Sequence, residues 1–306
     1  MNAFTNTIMA ALGYAPVDPD PGVITRFATS PRLSKRDGWC ILFADRQGGV
    51  FGCYRTGASG TWQAARQRPL SHADRLAHAL AVEQATKLRH AERASLWADK
   101  RKKWGPVWNQ AQPLGDCAAA RYMQRRGFAA LTGRWPQSLR CTRLDYWQDG
   151  EILGTFPVML SAVQGVDGRT VALHRTYLND DGTKASVPTV KKLSGAFGLV
   201  MGAAVRLFPE AQRLGVAEGV ETAVAACLGS SVPTWAAVSA SGLEVLQWPA
   251  QVRELVVFAD CDETRRGQEA AQRLAHRAVA SGLTVRVLTP SEAGCDWADV
   301  FAEATP

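Results

Sequence analysis

The chain has 306 residues, 46% of them hydrophobic, and a formal net charge of +7. That length suits two or three domains of roughly 100–150 residues each, and the apolar content excludes wholesale disorder. No stretch approaches the ~18–20 consecutive apolar residues that cross a bilayer, so no membrane partner is expected. Residues 1–14 carry no Lys or Arg and so lack the charged start of a secretory signal; a cytoplasmic protein is expected. The seven cysteines are scattered with no C-x-x-C pair, which favours reduced thiols over a disulfide framework. It also argues against structural zinc, whose ligands cluster. Charge is uneven: residues 1–110 hold 16 Lys/Arg against 8 Asp/Glu, and residues 191–306 hold 10 against 13. A basic front can neutralise a polyanion, and an acidic back can gather the carboxylates that hard divalent cations require. A solvated asymmetry with no partner has the same composition.

In chain order, residues 39–44 (WCILFA) and 50–54 (VFGCY) read as two strands, with Asp45 to Gly49 as their hairpin turn. Arg55 follows, and the whole reads as a small β-rich module with basic loops. A long helix comes next. Ser71 and Asp74 form a capping-box pattern, and Leu76, Ala77, Leu80, Leu88, Ala91 and Ala94 recur at helical spacing. It ends on Lys100, Arg101, Lys102, Lys103 and Trp104, with Gly105-Pro106 as the expected stop. Basic residues beside tryptophans suit single-stranded nucleic acid, where bases stack and phosphates pair. A cationic helix C-terminus favoured by the macrodipole, with the tryptophans in a core, gives the same pattern.

Residues 106–115 read as a linker and residues 116–126 as a short helix stopped by Gly127. Residues 141–177 turn to strands: CTRLDYW, TFPVMLSAVQ and TVALHRTYL, separated by Asp-Gly turns. From residue 214 strands alternate with helices: 214–217, then a helix 220–228, a strand 234–238, a helix near 243–247, the apolar run LVVFA at 255–259, a helix stopped by Gly282, and a strand 284–288. That alternation predicts a mainly parallel, doubly wound sheet with ligands at the carboxyl ends of its strands. The expected division is a basic module with a long helix at 1–105, an α+β subdomain at 106–210, and an α/β domain at 211–306.

Carboxylates fall at those strand ends. Glu218 follows the first strand, Asp260 and Asp262 follow LVVFA, and Asp296 and Asp299 come after the last strand. Alternation lets Asp260 and Asp262 point to one side, within reach of one cation. Such a cluster repels itself unless a cation neutralises it, and Mg²⁺ takes one or two carboxylates plus phosphate and water. Each acid alone could equally be a helix cap or turn residue.

The segments VAEGVETAVAA and LVVFADCDETRRG resemble the Toprim domain of bacterial primases, topoisomerases and some nucleases. With PTWAAVSASGL, GCDWADVF, YMQRRGF, LHRTYLNDDGTKA and KKLSGAFG, the chain over roughly residues 115–303 resembles the Toprim primases of plasmids, phages and integrated elements. The resemblance implies Glu218 as general acid/base, with Glu218, Asp260, Asp262, Asp296 and Asp299 around Mg²⁺ (or Mn²⁺). It further implies Arg175, Lys184, Lys191 and Lys192 as cations for triphosphate or template. The implied activity is primer synthesis from NTPs on single-stranded DNA for a mobile element, with any helicase or initiator a separate chain. The Toprim likeness also fits a metal-dependent nuclease or a non-catalytic replication or recombination adaptor. Arg55, Lys100, Arg101, Lys102, Lys103 and Trp104 are the nucleic-acid contacts expected of the front half. The chain departs from replicative primases in lacking a cysteine cluster for a zinc ribbon.

Overall fold

A computed structural model gives the structure of the chain and describes residues 2–31, 33, 36–54, 56–65, 71–261, 265–290, 294 and 297–304. The chain divides into two units, 1–96 and 97–306. The second and third expected domains thus fall in one unit. Among the described residues, no helix is long and apolar enough to cross a membrane.

The first unit opens with α1 (Ala3–Leu12), capped by Asn2, whose side chain accepts from the Thr5 amide at 2.9 Å. Strands β1 (Thr25–Phe27), β2 (Gly38–Leu42), β3 (Gly48–Cys53) and β4 (Ser59–Gln63) follow as one antiparallel sheet in chain order. The β2–β3 hairpin is the one the sequence predicts; α1, β1 and β4 go beyond it. Phe4 and Ile8 of α1 stand one helical turn apart and bury against Phe27, Leu42 and Phe51. Arg55 lies outside the described residues.

Helix α2 (His72–Gln110) starts where the capping box places it: the Ser71 amide donates to Asp74 at 3.0 Å and the Asp74 amide donates to Ser71 Oγ at 3.1 Å. Its end corrects the sequence reading. Gly105-Pro106 does not stop the helix, and residues 106–110 are helical rather than linker. A proline in a helix removes one backbone bond and crowds the preceding turn. Tertiary packing outweighs that cost here. Val107 and Trp108 pack on a core of Tyr146, Leu160 and Tyr177, and Arg140 both stacks on Trp108 and donates to its carbonyl at 2.8 Å.

The second unit continues with β5 (Gln112–Pro113), α3 (Ala118–Met123) and a π turn (Gln124–Phe128) containing Gly127 at φ 89°. Three long antiparallel strands follow: β6 (Leu139–Gln148), β7 (Glu151–Gln164) and β8 (Thr170–Tyr177), with short β9 (Lys191–Leu193) paired to β8. Then come β10 (Ala204–Val205), β11 (Arg213–Ala217), α4 (Val220–Ser230), β12 (Thr234–Ala236), α5 (Ala240–Val245), β13 (Glu254–Phe258), α6 (Arg266–Ala280), β14 (Thr284–Leu288) and α7 (Trp297–Ala304). Helix α5 begins three residues earlier than the sequence suggests, because the Ser239 side chain caps it by accepting from the Gly242 amide.

The antiparallel and parallel halves are one ten-stranded mixed sheet, not two sheets. Its order is β14-β13-β11-β12-β10-β7-β6-β5, with β8 and β9 branching from β7. Strands β12, β11, β13 and β14 are mutually parallel, as expected for buried LVVFA-type runs. Alternation sends Val256 and Phe258 to the α4 and α7 face, and Leu255 and Val257 to the α5 and α6 face. Phe258 is buried beneath the strand ends, its ring edge-on to Trp297 at 5.5 Å. Truncating it opens a cavity under the rim of the sheet. Phe258→Ala is expected to cost ~3–5 kcal/mol of stability, read as a lower urea midpoint with unchanged slope.

Candidate active site

Strand β11 runs on to β12 on one side of the sheet, whereas β13 runs on to β14 on the other. The crevice between the ends of β11 and β13 is therefore the topological switch point, where open α/β sheets bind ligands. Glu218 follows β11 directly and Asp260 lies two residues beyond β13, with Ala217 and Phe258 in register below them. Asp299 arrives from the first turn of α7 and pairs with Arg126 at 3.5 Å. Thr222 donates its hydroxyl toward Asp260 at 3.4 Å.

The antiparallel half supplies the opposite charge. The loop between β8 and β9 is pinned to α3 and β6: Arg121 of α3 donates to the Asp180 carbonyl at 3.0 Å, and Arg143 of β6 pairs with the Asp180 carboxylate at 2.5 Å. Gly182 sits in the left-handed region at φ 84°, and an added Cβ would come 2.7 Å from the Tyr122 amide nitrogen. Lys184, two residues on, and Lys191 of β9 both line the cavity that holds the carboxylates. Together Arg126, Lys184, Lys191, His174, Glu218, Glu221, Asp260 and Asp299 line one cavity of about 290 Å³. Acidic and basic side chains share its lining, with Arg126 paired to Asp299 and Lys191 to Glu221.

Glu221 was not anticipated. It is buried on α4, one turn after Glu218, and both its oxygens are taken. Lys191 Nζ donates to Oε2 at 2.8 Å, and the Tyr122 hydroxyl donates to Oε1 at 2.6 Å. Burial pushes its carboxyl upward, but Lys191 and Tyr122 more than offset this and hold it down to about 2. His174 was also missed, although its neighbour Arg175 was nominated. It is 8% exposed, with Nδ1 lacking a hydrogen-bond partner. Burial, more than the nearby Lys191 and Arg175, depresses its imidazole to about 4 against the pull of Glu221.

Of the residues nominated from sequence, Glu218, Asp260, Asp299, Lys184 and Lys191 meet in this cavity. Asp262 and Asp296 lie outside the described residues. Arg175 and Lys192 pair on the opposite face of β8–β9. Arg175 is stacked on Trp104, receives no cavity role, and donates to the Tyr177 hydroxyl at 3.0 Å; Lys192 lies 3.6 Å from the Tyr146 ring centroid. Arg101 donates to the Phe197 carbonyl at 2.9 Å, while Lys100, Lys102 and Lys103 are exposed on α2. Among the described residues no three acidic, histidine or cysteine side chains form a ready-made metal cluster. The donor chemistry nonetheless suits a hard cation, since Glu218, Asp260 and Asp299 bring carboxylate oxygens to one cavity.

Residues 98–207 match a family model described as a domain of unknown function (DUF7146), and residues 213–306 match that of the Toprim domain. The C-terminal part of the chain carries a Toprim domain. No curated protein matches the chain. Among solved structures it is similar to a DNA primase domain from Pseudomonas aeruginosa, at 16% identity and a TM-score of 0.37, over 53% of this chain and 52% of that one. The chain thus spans about half the length of that structure. It is also similar to the DnaG primase catalytic domain bound to ssDNA, at 14% identity and a TM-score of 0.44, over 70% and 78% of the two chains. The E. coli primase catalytic core gives 14% identity and a TM-score of 0.42, over 61% and 69%.

The buried imidazole makes stability depend on pH. Burial holds the His174 imidazole down to about 4 in the folded chain, against 6.5 for an ordinary histidine, so the unfolded chain binds the proton first. Its contribution is complete above that upper value and is lost as pH falls through the window. The loss amounts to about 3 kcal/mol. Denaturant midpoints should fall steeply on acidification across this window, and His174→Asn should flatten the slope; an unchanged slope would refute the assignment.

Proposed function

We propose that the chain is a primase that joins ribonucleotides on a single-stranded DNA template. The observation that carries this reading is the two-signed cavity at the switch point, which Glu218, Asp260 and Asp299 line together with Lys184, Lys191 and Arg126. Such a site offers ammonium and guanidinium groups to a polyphosphate and carboxylates to a hard cation. The Toprim match over residues 213–306 and the motif resemblance upstream support the same reading.

In this mechanism Lys184 and Lys191 hold the triphosphate of the incoming nucleotide as point charges. Glu218 stands at the strand end to take the proton from the attacking 3′-hydroxyl. Arg126 keeps Asp299 oriented through their ion pair. Asp260 and Asp299 would hold Mg²⁺, together with Asp262 and Asp296. When bound, the ion supplies neutralisation of charge on the attacking and leaving oxygens. The bond formed joins the 3′-oxygen to the α-phosphorus, and pyrophosphate leaves. The exposed Lys100, Lys102 and Lys103 of α2 offer template phosphates a basic surface whose grip weakens with salt. Fixed charges and orientation carry the rate, as in other phosphoryl transfers.

The test is incubation with single-stranded DNA, Mg²⁺ and labelled NTPs. Primers support the reading; shortened DNA would make the chain a nuclease, and a mobility shift without product a binding adaptor. Glu218→Gln and Asp260→Asn are expected to lower synthesis at least ~100-fold while leaving DNA retention intact. Full synthesis by Asp260→Asn would sink the assignment.

A further inference from the structure

Glu221 is a cavity carboxylate that lies within the VAEGVETAVAA motif but receives no role from the sequence. It sits one helical turn past Glu218, on the inward face of α4, and is 4% exposed. Its two oxygens are engaged from two different directions. Tyr122 reaches it from α3, 99 residues earlier in the chain, and Lys191 reaches it from β9. The Lys191 side chain is itself 41% exposed. Its ammonium therefore stands at the boundary, anchored below by Glu221 and open above to the cavity. An ammonium has three donors, and the bond to Glu221 uses one of them.

A carboxylate so engaged is poorly placed to bind a metal, because binding would mean giving up Lys191 or Tyr122. It is equally unsuited to proton transfer, because it faces two donors rather than the open site. What the geometry does provide is a fixed position for a cation that is otherwise carried on four rotatable bonds. We propose that Glu221 is a positioning residue for nucleotidyl transfer: with Tyr122 it clamps the Lys191 ammonium where the triphosphate of the incoming nucleotide lies. The proposal rests on the primase reading and adds to it a residue that touches no substrate. A cation held before substrate arrives loses less freedom on binding and sits closer to the reacting geometry.

The alternative is an ion pair that only supports the fold, and a double-mutant cycle separates the two. In the full chain, Lys191→Met leaves Glu221 buried without its cation and should lower the Tm. Glu221→Gln/Lys191→Met removes that stranded charge and should recover most of the Tm. If the pair positions substrate, the restabilised double variant stays as slow in primer synthesis as Lys191→Met. Recovery of synthesis along with stability would show a structural pair and overturn the proposal. Glu221→Gln alone should reduce kcat at least tenfold, with a much smaller change in the KM for NTP; a wild-type kcat would also overturn it. Should Glu221→Gln fail to fold, Tyr122→Phe keeps the ion pair and frees one oxygen. There, a kcat loss of threefold or more is expected, and wild-type kcat counts against the clamp.

A second readout does not depend on synthesis. The chain has only eight lysines, so ¹³C-dimethylation gives a tractable NMR spectrum. The Lys191 resonance, identified by its loss in Lys191→Met, should lie apart from those of exposed lysines and join them in Glu221→Gln. A resonance that does not move would refute the clamp. If the wild-type chain makes no primer, the primase reading fails, while this resonance still decides whether Glu221 holds Lys191.

Discussion

The site depends on a strand of two residues. Ala204 and Val205 of β10 pair antiparallel with Gln164 and Val163 of β7, and Val205 pairs on its other side with Ala236 of β12. Both residues are buried, and the neighbouring strands satisfy their backbone groups. This splice makes one sheet of an antiparallel half that carries Lys184 and Lys191 and a parallel half that carries Glu218 and Asp260. Charges contributed from residues 126 to 299 can face one another across a few ångströms only because the sheet beneath them is continuous.

Within the cavity, burial decides how each acid is used. Glu221 is nearly dry, so leaving it unpaired costs several kcal/mol. Two donors at 2.8 and 2.6 Å outweigh that cost, which is why its carboxyl is held down rather than pushed up. Glu218 and Asp260 at the strand ends, and Asp299 in the first turn of α7, are only half-buried, and solvent and side-chain partners moderate their repulsion. Four carboxylates in one cavity therefore divide into one that is nearly dry, with both oxygens taken by Lys191 and Tyr122, and three that are half-buried. His174 follows the same logic from the other sign. Near two cations and without solvent, the imidazole is easier to keep neutral than charged.

How much of this was legible in the sequence follows from the range of each interaction. The strand-end acids are local signals: an apolar run stops, and the next polar residue marks the rim. Glu218 and Asp260 were found this way, as was the Ser71–Asp74 cap. Glu221 sits at a buried helical position, so its spacing looks like any polar break in an apolar face. Its meaning lies in Tyr122 and Lys191, 99 and 30 positions away, which no local pattern links. Lys184 and Lys191 entered through family resemblance rather than through spacing. The Gly105-Pro106 signal was real as a propensity and was overridden by the packing of Val107 and Trp108. Helix α1 had the Phe4, Ile8 and Leu12 spacing of an amphipathic helix, hidden among the glycines and prolines that follow it.

The adjacent pair Lys191-Lys192 shows why counting basic residues overestimates a binding site. Both lie on β9, and in an extended strand neighbours point to opposite faces. Thr176 pairs with Lys191 and Arg175 with Lys192, so the face is set by register, not by composition. Lys191 goes to the cavity and Glu221. Lys192 and Arg175 go to the aromatic face, where Tyr146, Tyr177 and Trp104 receive their charge. A cation over an aromatic ring is worth about 0.5–2 kcal/mol, depending on how far it is desolvated. The aromatic face is therefore a stable place for the two cations that the cavity does not take. A one-residue slip of β9 would exchange the two lysines and leave Glu221 buried without its cation, and that penalty helps to fix the register of a strand only three residues long.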